Sequence, residues 1–186
     1  VTANIDDYAE LKKDEKTMFV YVGRHNYIKG YDLLVDAFQH IDISKSKFIC
    51  AGAQSNIVPP NSKDWIELGY IKNANSLMKA ANCVVIPNRN TYFDLVIIEA
   101  LSVGAIIITS ATGGNVDLAK DTEGLILFES GKVESLNKAI STFLGLSDEE
   151  KIRMKNSNRM LYENRCSIEC FAKAYNIAIN KLAKII

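Results

Sequence analysis

The chain has 186 residues, 48% of them apolar and 24% charged, with 22 Lys and Arg set against 22 Asp and Glu. That length suits one domain with its own core, and a net charge of zero argues against a general nucleic-acid binder, which needs a cationic surplus for the phosphate backbone. Four scattered cysteines beside two histidines fit a reduced, cytosolic chain with neither a disulfide framework nor zinc.

Residues 1–16 are polar and read as a linker or edge segment, with 17–186 as the domain proper. No signal peptide or membrane span is expected. A start at Val1 is expected of a piece of a longer protein. Met18-Phe19-Val20-Tyr21-Val22, ending at Gly23, predicts a strand covered on both faces. Leu33, Leu34, Ala37, Phe38 and Ile41 recur at helical spacing and predict a helix over 31–41. Strands follow at Lys47 to Ala51 and Ile66 to Leu68, then a helix capped by Asn73 or Asn75 and a strand from Cys83 to Ile86. Asp94 is placed to cap a helix ended by Gly104. Ala105 to Thr109 predicts a strand, Gly113-Gly114 a turn, and Leu125 to Phe128 the last strand. Helices close the chain. One spans Val133 to Leu144, one opens on a capping box at Ser147 and Glu150, and one runs from Ser167 to Ile186 with Phe171, Tyr175, Ile179 and Leu182 on one stripe. Alternating strands and helices argue for an α/β fold, a doubly wound parallel sheet.

Such sheets bind ligands beyond the carboxyl ends of their strands. After the first strand, Gly23-Arg24-His25-Asn26-Tyr27-Ile28-Lys29-Gly30 lacks the glycine fingerprint of a dinucleotide site but carries two cations beside a helix start, suited to phosphate. By themselves Arg24 and Lys29 read equally well as surface charges. After Pro87, the segment Thr91-Tyr92-Phe93-Asp94-Leu95 leads into a helix whose Glu99 sits among apolar neighbours. Glu99 is either a solvated helix-face residue or an acceptor for ligand hydroxyls. The free amides at the start of that helix suit an anion, against which Asp94 acts unless Arg24 and Lys29 compensate. Gly113 and Gly114 allow backbone amides to curl around a ligand.

Taken together, Gly-Arg, Lys-Gly, Leu-Gly-Tyr-Ile, Ala-Ala-Asn-Cys-Val-Val-Ile-Pro, Phe-Asp-Leu-Val-Ile-Ile-Glu-Ala-Leu-Ser-Val-Gly and Thr-Gly-Gly, in that order, resemble the C-terminal domain of the family-4 retaining glycosyltransferases. Those enzymes have two facing Rossmann-like domains, the GT-B fold. The resemblance runs from about Met18 into the terminal helices. It implies that Arg24 and Lys29 bind the diphosphate of a UDP-, GDP- or ADP-sugar and that Glu99 binds the ribose, these three being the catalytic set. It implies that Gly23, Gly52, Tyr70 and Ile71 lie along the nucleotide, with the backbone of Gly69-Tyr70-Ile71 holding the base. Thr91, Tyr92, Phe93, Asp94 and Leu95 would meet the sugar and distal phosphate, with Gly113 and Gly114 nearby. No metal or other cofactor is expected, since no Asp-x-Asp pair is present. The partners implied are the nucleotide-sugar and an N-terminal acceptor domain, with membrane association through that domain at the inner face.

The sequence departs from the family in three places. Thr91 stands where the first glutamate of a Glu-x7-Glu motif is expected, Asp94 replaces a glycine, and 52–63 shows no helical pattern. A non-catalytic partner subunit and a sugar-nucleotide epimerase of the same fold are the alternatives. The chain by itself is not expected to turn over.

Overall fold

The computed structural model describes residues 5–182. Six strands, β1 (Thr17–Val22), β2 (Ser46–Ala51), β3 (Trp65–Gly69), β4 (Cys83–Ile86), β5 (Ile107–Ser110) and β6 (Leu125–Phe128), form one sheet in the order β3-β2-β1-β4-β5-β6. Every pairing is parallel. The crossovers carry α1 (Tyr31–Phe38), α2 (Ala74–Ala80), α3 (Leu95–Ser102) and α4 (Gly114–Ala119). The chain then runs through α5 (Val133–Leu144), α6 (Asp148–Leu161) and α7 (Ile168–Leu182). This is the doubly wound α/β fold that the alternating pattern implies.

The continuous apolar runs are explained by burial on both faces. Along β1, Phe19 and Tyr21 point into one core with Phe48, Trp65, Leu34 of α1 and Phe143 of α5. Met18 and Val20 point into the other, with Ile49, Leu77 of α2, and Ile97 and Leu101 of α3. Cys50 and Cys83 are buried in these layers as small apolar groups, and burial raises both thiols far above their ordinary range.

Helix ends follow local chemistry. Asn73 accepts from the Ser76 amide at 3.2 Å and caps α2. Ser147 and Glu150 form the capping box of α6. Gly104, with φ of 67°, ends the α3 turn.

Several expectations need correction. The glycine pair at 113–114 is not merely a turn: Gly113 is the N-cap of α4, whose six residues include Gly114 and are too short for an apolar period to register. The helix predicted over 31–41 stops at Phe38, and the strand predicted from Ala105 begins its ladder at Ile107. Ile5–Lys12 forms a short 3-10 helix against α2, with Tyr8 and Leu11 on the core. Lys47, buried in β2, donates to the Leu11 carbonyl and to Asp14 at 2.5 Å, so this edge segment is tied to the sheet. After α6 the backbone widens into a π turn over Tyr162–Cys166 before α7. Phe171, Tyr175 and Ile179 of the α7 stripe are exposed. The end of the predicted final helix, 183–186, lies outside the described residues.

Candidate functional site

The strand order makes β1 and β4 neighbours, with β2 and β3 continuing to one side and β5 and β6 to the other. This reversal opens a crevice at the carboxyl ends of β1 and β4. A cavity of about 390 Å³ lies there, lined by Gly23, Lys29, Asn88, Asp94, Leu95 and Glu99 with Phe93 beside them. A larger groove, about 780 Å³, runs along α6 and contains no strand-end residue. We take the strand-end cavity as the candidate site because the backbone and charged groups converge on it.

The loops around it are held by close backbone contacts. The Gly23 amide donates to the Ala51 carbonyl at 2.9 Å, and the Gly52 amide to the Gly69 carbonyl at 2.8 Å. Gly52 has φ of 151° and packs so tightly on the Gly23 carbonyl that a Cβ would collide with it. Only glycine fits there. The Tyr21 hydroxyl donates to the Arg24 carbonyl at 2.6 Å. The Arg24 side chain is exposed at the rim, does not line the cavity, and has no ion-pair partner among the described residues. Lys29 is about one-third exposed, and its backbone amide donates to Asn26 Oδ1 at 2.9 Å. Arg89 grips Asp32 in a two-pronged ion pair (2.5 and 2.6 Å) and lies over the Tyr27 ring, which clamps the loop that delivers Lys29.

Asp94 occupies the N-cap position of α3, as its place in the sequence predicts, but its side chain does not cap the helix. The carboxylate is buried and turned inward. Oδ1 accepts from Asn88 Nδ2, from Thr91 Oγ1 at 3.2 Å and from Lys29 Nζ at 3.4 Å. Oδ2 accepts from Asn115 Nδ2 at 3.4 Å. A buried carboxylate takes the strongest set of donors within reach, and here they lie below the helix. The opening turn of α3 is thereby left without a side-chain cap, facing the cavity. Asn115 also donates to Thr109 Oγ1 at 3.0 Å and to the Ser110 carbonyl at 3.2 Å, and Ser110 Oγ donates to the Asn88 carbonyl at 2.5 Å. This polar floor joins the ends of β4 and β5. Asn88, Ser110 and Asn115 carry no assigned role in the sequence reading, where the only signal is their place in the polar segments that follow the apolar runs 83–86 and 105–109.

Glu99 is exposed on α3 and lines the cavity beside Val96. Desolvation by the protein around it raises its carboxyl above the usual range. Thr91 is half-buried on Asp94, while Tyr92 is 98% exposed. Phe93 and Leu95 present apolar surface at the cavity mouth. Gly113 and Gly114 abut this segment: the Gly114 amide donates to the Tyr92 carbonyl at 2.9 Å, and a side chain on Gly113 would strike the Thr91 carbonyl. Tyr70 is exposed and Ile71 half-buried in the loop after β3, outside the cavity but joined to it through Gly69 and Gly52. His25 lies off the cavity, stacked on Tyr31 with ring centroids 4.1 Å apart and Nδ1 3.4 Å from Glu67. Burial holds its imidazole below the ordinary value against the pull of that carboxylate. The Arg24, Lys29 and Glu99 set is thus split, with Lys29 and Glu99 in one cavity and Arg24 on its rim.

The chain is similar to known proteins in sequence and in fold. An uncharacterized glycosyltransferase of Methanocaldococcus jannaschii is 27% identical over 125 residues, covering 58% of this chain and 30% of the relative. The sucrose-phosphate synthase of Thermosynechococcus elongatus superposes with a TM-score of 0.82 at 21% identity, over 99% of this chain and 50% of that one. The Anabaena protein Alr3699/HepE, solved in complex with UDP and glucose, superposes with a TM-score of 0.81 at 16% identity, over 95% of this chain and 51% of that one. This chain therefore spans about a third of the curated relative's length and half of each structure's, and the structural likenesses establish the shared Rossmann-like fold. The family described as "Glycosyl transferases group 1" matches residues 16–145. The chain belongs to that glycosyltransferase family.

Proposed function

We propose that this chain is the donor-binding half of a retaining GT-B glycosyltransferase and takes a nucleoside-diphosphate sugar. The observation that carries the reading is the meeting of Lys29, Glu99 and the uncapped start of α3 in one cavity at the β1–β4 reversal. The UDP and glucose in the Anabaena neighbour support the same ligand class.

In this reading Lys29, with Arg24 reaching in from the rim, faces the diphosphate, and the first amides of α3 point their dipole at it. Glu99 accepts hydrogen bonds from the ribose hydroxyls. The backbone of Gly69, Tyr70 and Ile71 borders the base, and the 91–95 and 113–114 segments border the sugar. When the bond between the anomeric carbon and the diphosphate oxygen breaks, its electron pair stays on that oxygen. The sugar carbon then bonds on the same face to an acceptor hydroxyl oxygen, whose proton passes to the departing diphosphate oxygen. Charge developing on the leaving group falls on fixed cations and amide dipoles, each such contact worth several kcal/mol in a water-poor site, on the order of 2.7–4 for one donor. The cationic side chains do this without a bridging metal. An acceptor-binding domain completes the enzyme, which works on the cytoplasmic side of the membrane in polysaccharide or glycolipid assembly.

Calorimetry with UDP, GDP and ADP tests this. The parent chain binds one of them, and Arg24→Ala with Lys29→Ala removes most of the affinity while thermal melting shows the fold retained. Nucleotide bound as tightly by the double variant as by the parent would overturn the assignment.

A further inference from the structure

Lys29 has a competitor for its charge in Asp94. The Asp94 side chain is 1% exposed, against 32% for Lys29, and the contact between them, at 3.4 Å, is as long as that from Asn115 and longer than those from Asn88 and Thr91. The three neutral donors, Asn88, Thr91 and Asn115, hold the carboxylate from other directions. Lys29 can therefore swing toward a ligand while the Asp94 carboxylate keeps its three neutral donors. The buried carboxylate does not move with it, because two of its anchors are themselves locked to the ends of β4 and β5: Asn115 by Thr109 and Ser110, and Asn88 by Ser110. A fixed negative charge thus remains in the wall of the cavity that takes the diphosphate, where low dielectric makes it act strongly.

We propose that Asp94 is a specificity-determining residue of this site that discriminates by charge, favouring the sugar-linked diphosphate over the free nucleoside diphosphate. The inference rests on the nucleotide-sugar reading above. A diphosphate esterified at both ends carries two negative charges. Once the sugar has left, the terminal phosphate is a monoester with a second ionisation near pH 6, so it gains about one further charge at neutral pH. That added charge forms on the ligand as the bond to the sugar breaks. Lys29 in the cavity and Arg24 on its rim supply two positive charges, and Asp94 and Glu99 in the cavity remove as many, so the site has no surplus to hold the extra one. Asp94 loosens the product more than the donor and keeps the site from being held by its own leaving group.

The experiment is calorimetric titration of the parent chain and of Asp94→Asn with UDP, GDP and ADP and with UDP-glucose, GDP-mannose and ADP-glucose. Thermal melting checks the fold, and Asp94→Gly is the second variant should the amide disturb the floor. Removing the charge is expected to tighten the free diphosphate about tenfold more than the matching sugar nucleotide. An unchanged ratio of the two affinities, or weaker binding of both, overturns the charge discrimination while leaving the nucleotide-sugar reading intact. A parent chain that binds none of the six overturns that reading and this inference with it.

Discussion

Glu99 shows how one side chain is placed between two demands. Its neighbours on α3 are apolar because Ile97, Ala100 and Leu101 fill the core, and the desolvation this brings raises its carboxyl. A raised value means that the native state holds the proton more tightly than the unfolded chain. The stability it contributes is present at low pH and is lost as pH rises through the folded value. Ionised Glu99 therefore costs the fold something at neutral pH, yet the ionised form is the better acceptor for ribose hydroxyls. Glu99→Gln is expected to melt at or slightly above the parent temperature at pH 7. Its nucleotide affinity falls about tenfold or more, the scale of losing hydrogen bonds to a charged group. The parent's affinity should also decline on acidification earlier than an ordinary glutamate would dictate. Paired melting and titration curves from about pH 3.5 to 7.5, a range that starts below the ordinary glutamate value, check both halves. A variant that loses stability without losing affinity would make Glu99 structural.

At the scale of elements, the segment 91–95 owes its shape to α4. Gly113 has φ of 49° and ψ of −136°, a conformation closed to residues with a Cβ, and its backbone presses on the Thr91 carbonyl. Gly113→Ala is expected to destabilise the chain by about 2 kcal/mol or more, from the strained backbone and the forced retreat of residues 91 and 92. Urea denaturation measures this, and nucleotide affinity should fall in the same variant because the cavity mouth moves. The element also marks the limit of what the sequence discloses. Strands β1, β2 and β4 are legible because burial on both faces writes an unbroken apolar run. The capping box of α6 is legible because its partners lie three residues apart. Helix α4 is not, since six residues starting with Gly-Asn offer neither period nor propensity. The same division holds in the site. Lys29, Asp94 and Glu99 stand out in a linear reading. The inward turn of the Asp94 carboxylate does not, because a local rule sends an N-cap side chain to its own helix. The donors that overrule it are Asn88 and Thr91 from the preceding loop together with Lys29 and Asn115 from distant segments, and the last two cannot be read from the local sequence.

For the whole molecule, the placement of the cavity bears on what the chain can do unaided. Every group argued to meet the donor comes from the carboxyl ends of one sheet, so the donor is approached from one side only. The mouth carries Phe93 and Leu95, 47% and 75% exposed, and Tyr92, 98% exposed, precedes them in the chain. Large apolar side chains exposed beside the charged groups of this cavity mark a surface that ligand or protein covers. Transfer requires an acceptor held against the sugar and water kept out, which strengthens each charge contact and suppresses hydrolysis. Neither requirement is met by a half-site open to solvent. The chain is therefore expected to bind nucleotide and nucleotide-sugar calorimetrically, yet to release no free sugar or nucleoside diphosphate from UDP-glucose, GDP-mannose or ADP-glucose in overnight incubations followed by chromatography. Release that depends on Lys29 would place enough of the catalytic machinery in this one domain to act without a facing partner. Binding without release would assign it the donor's half of a site that closes from both sides.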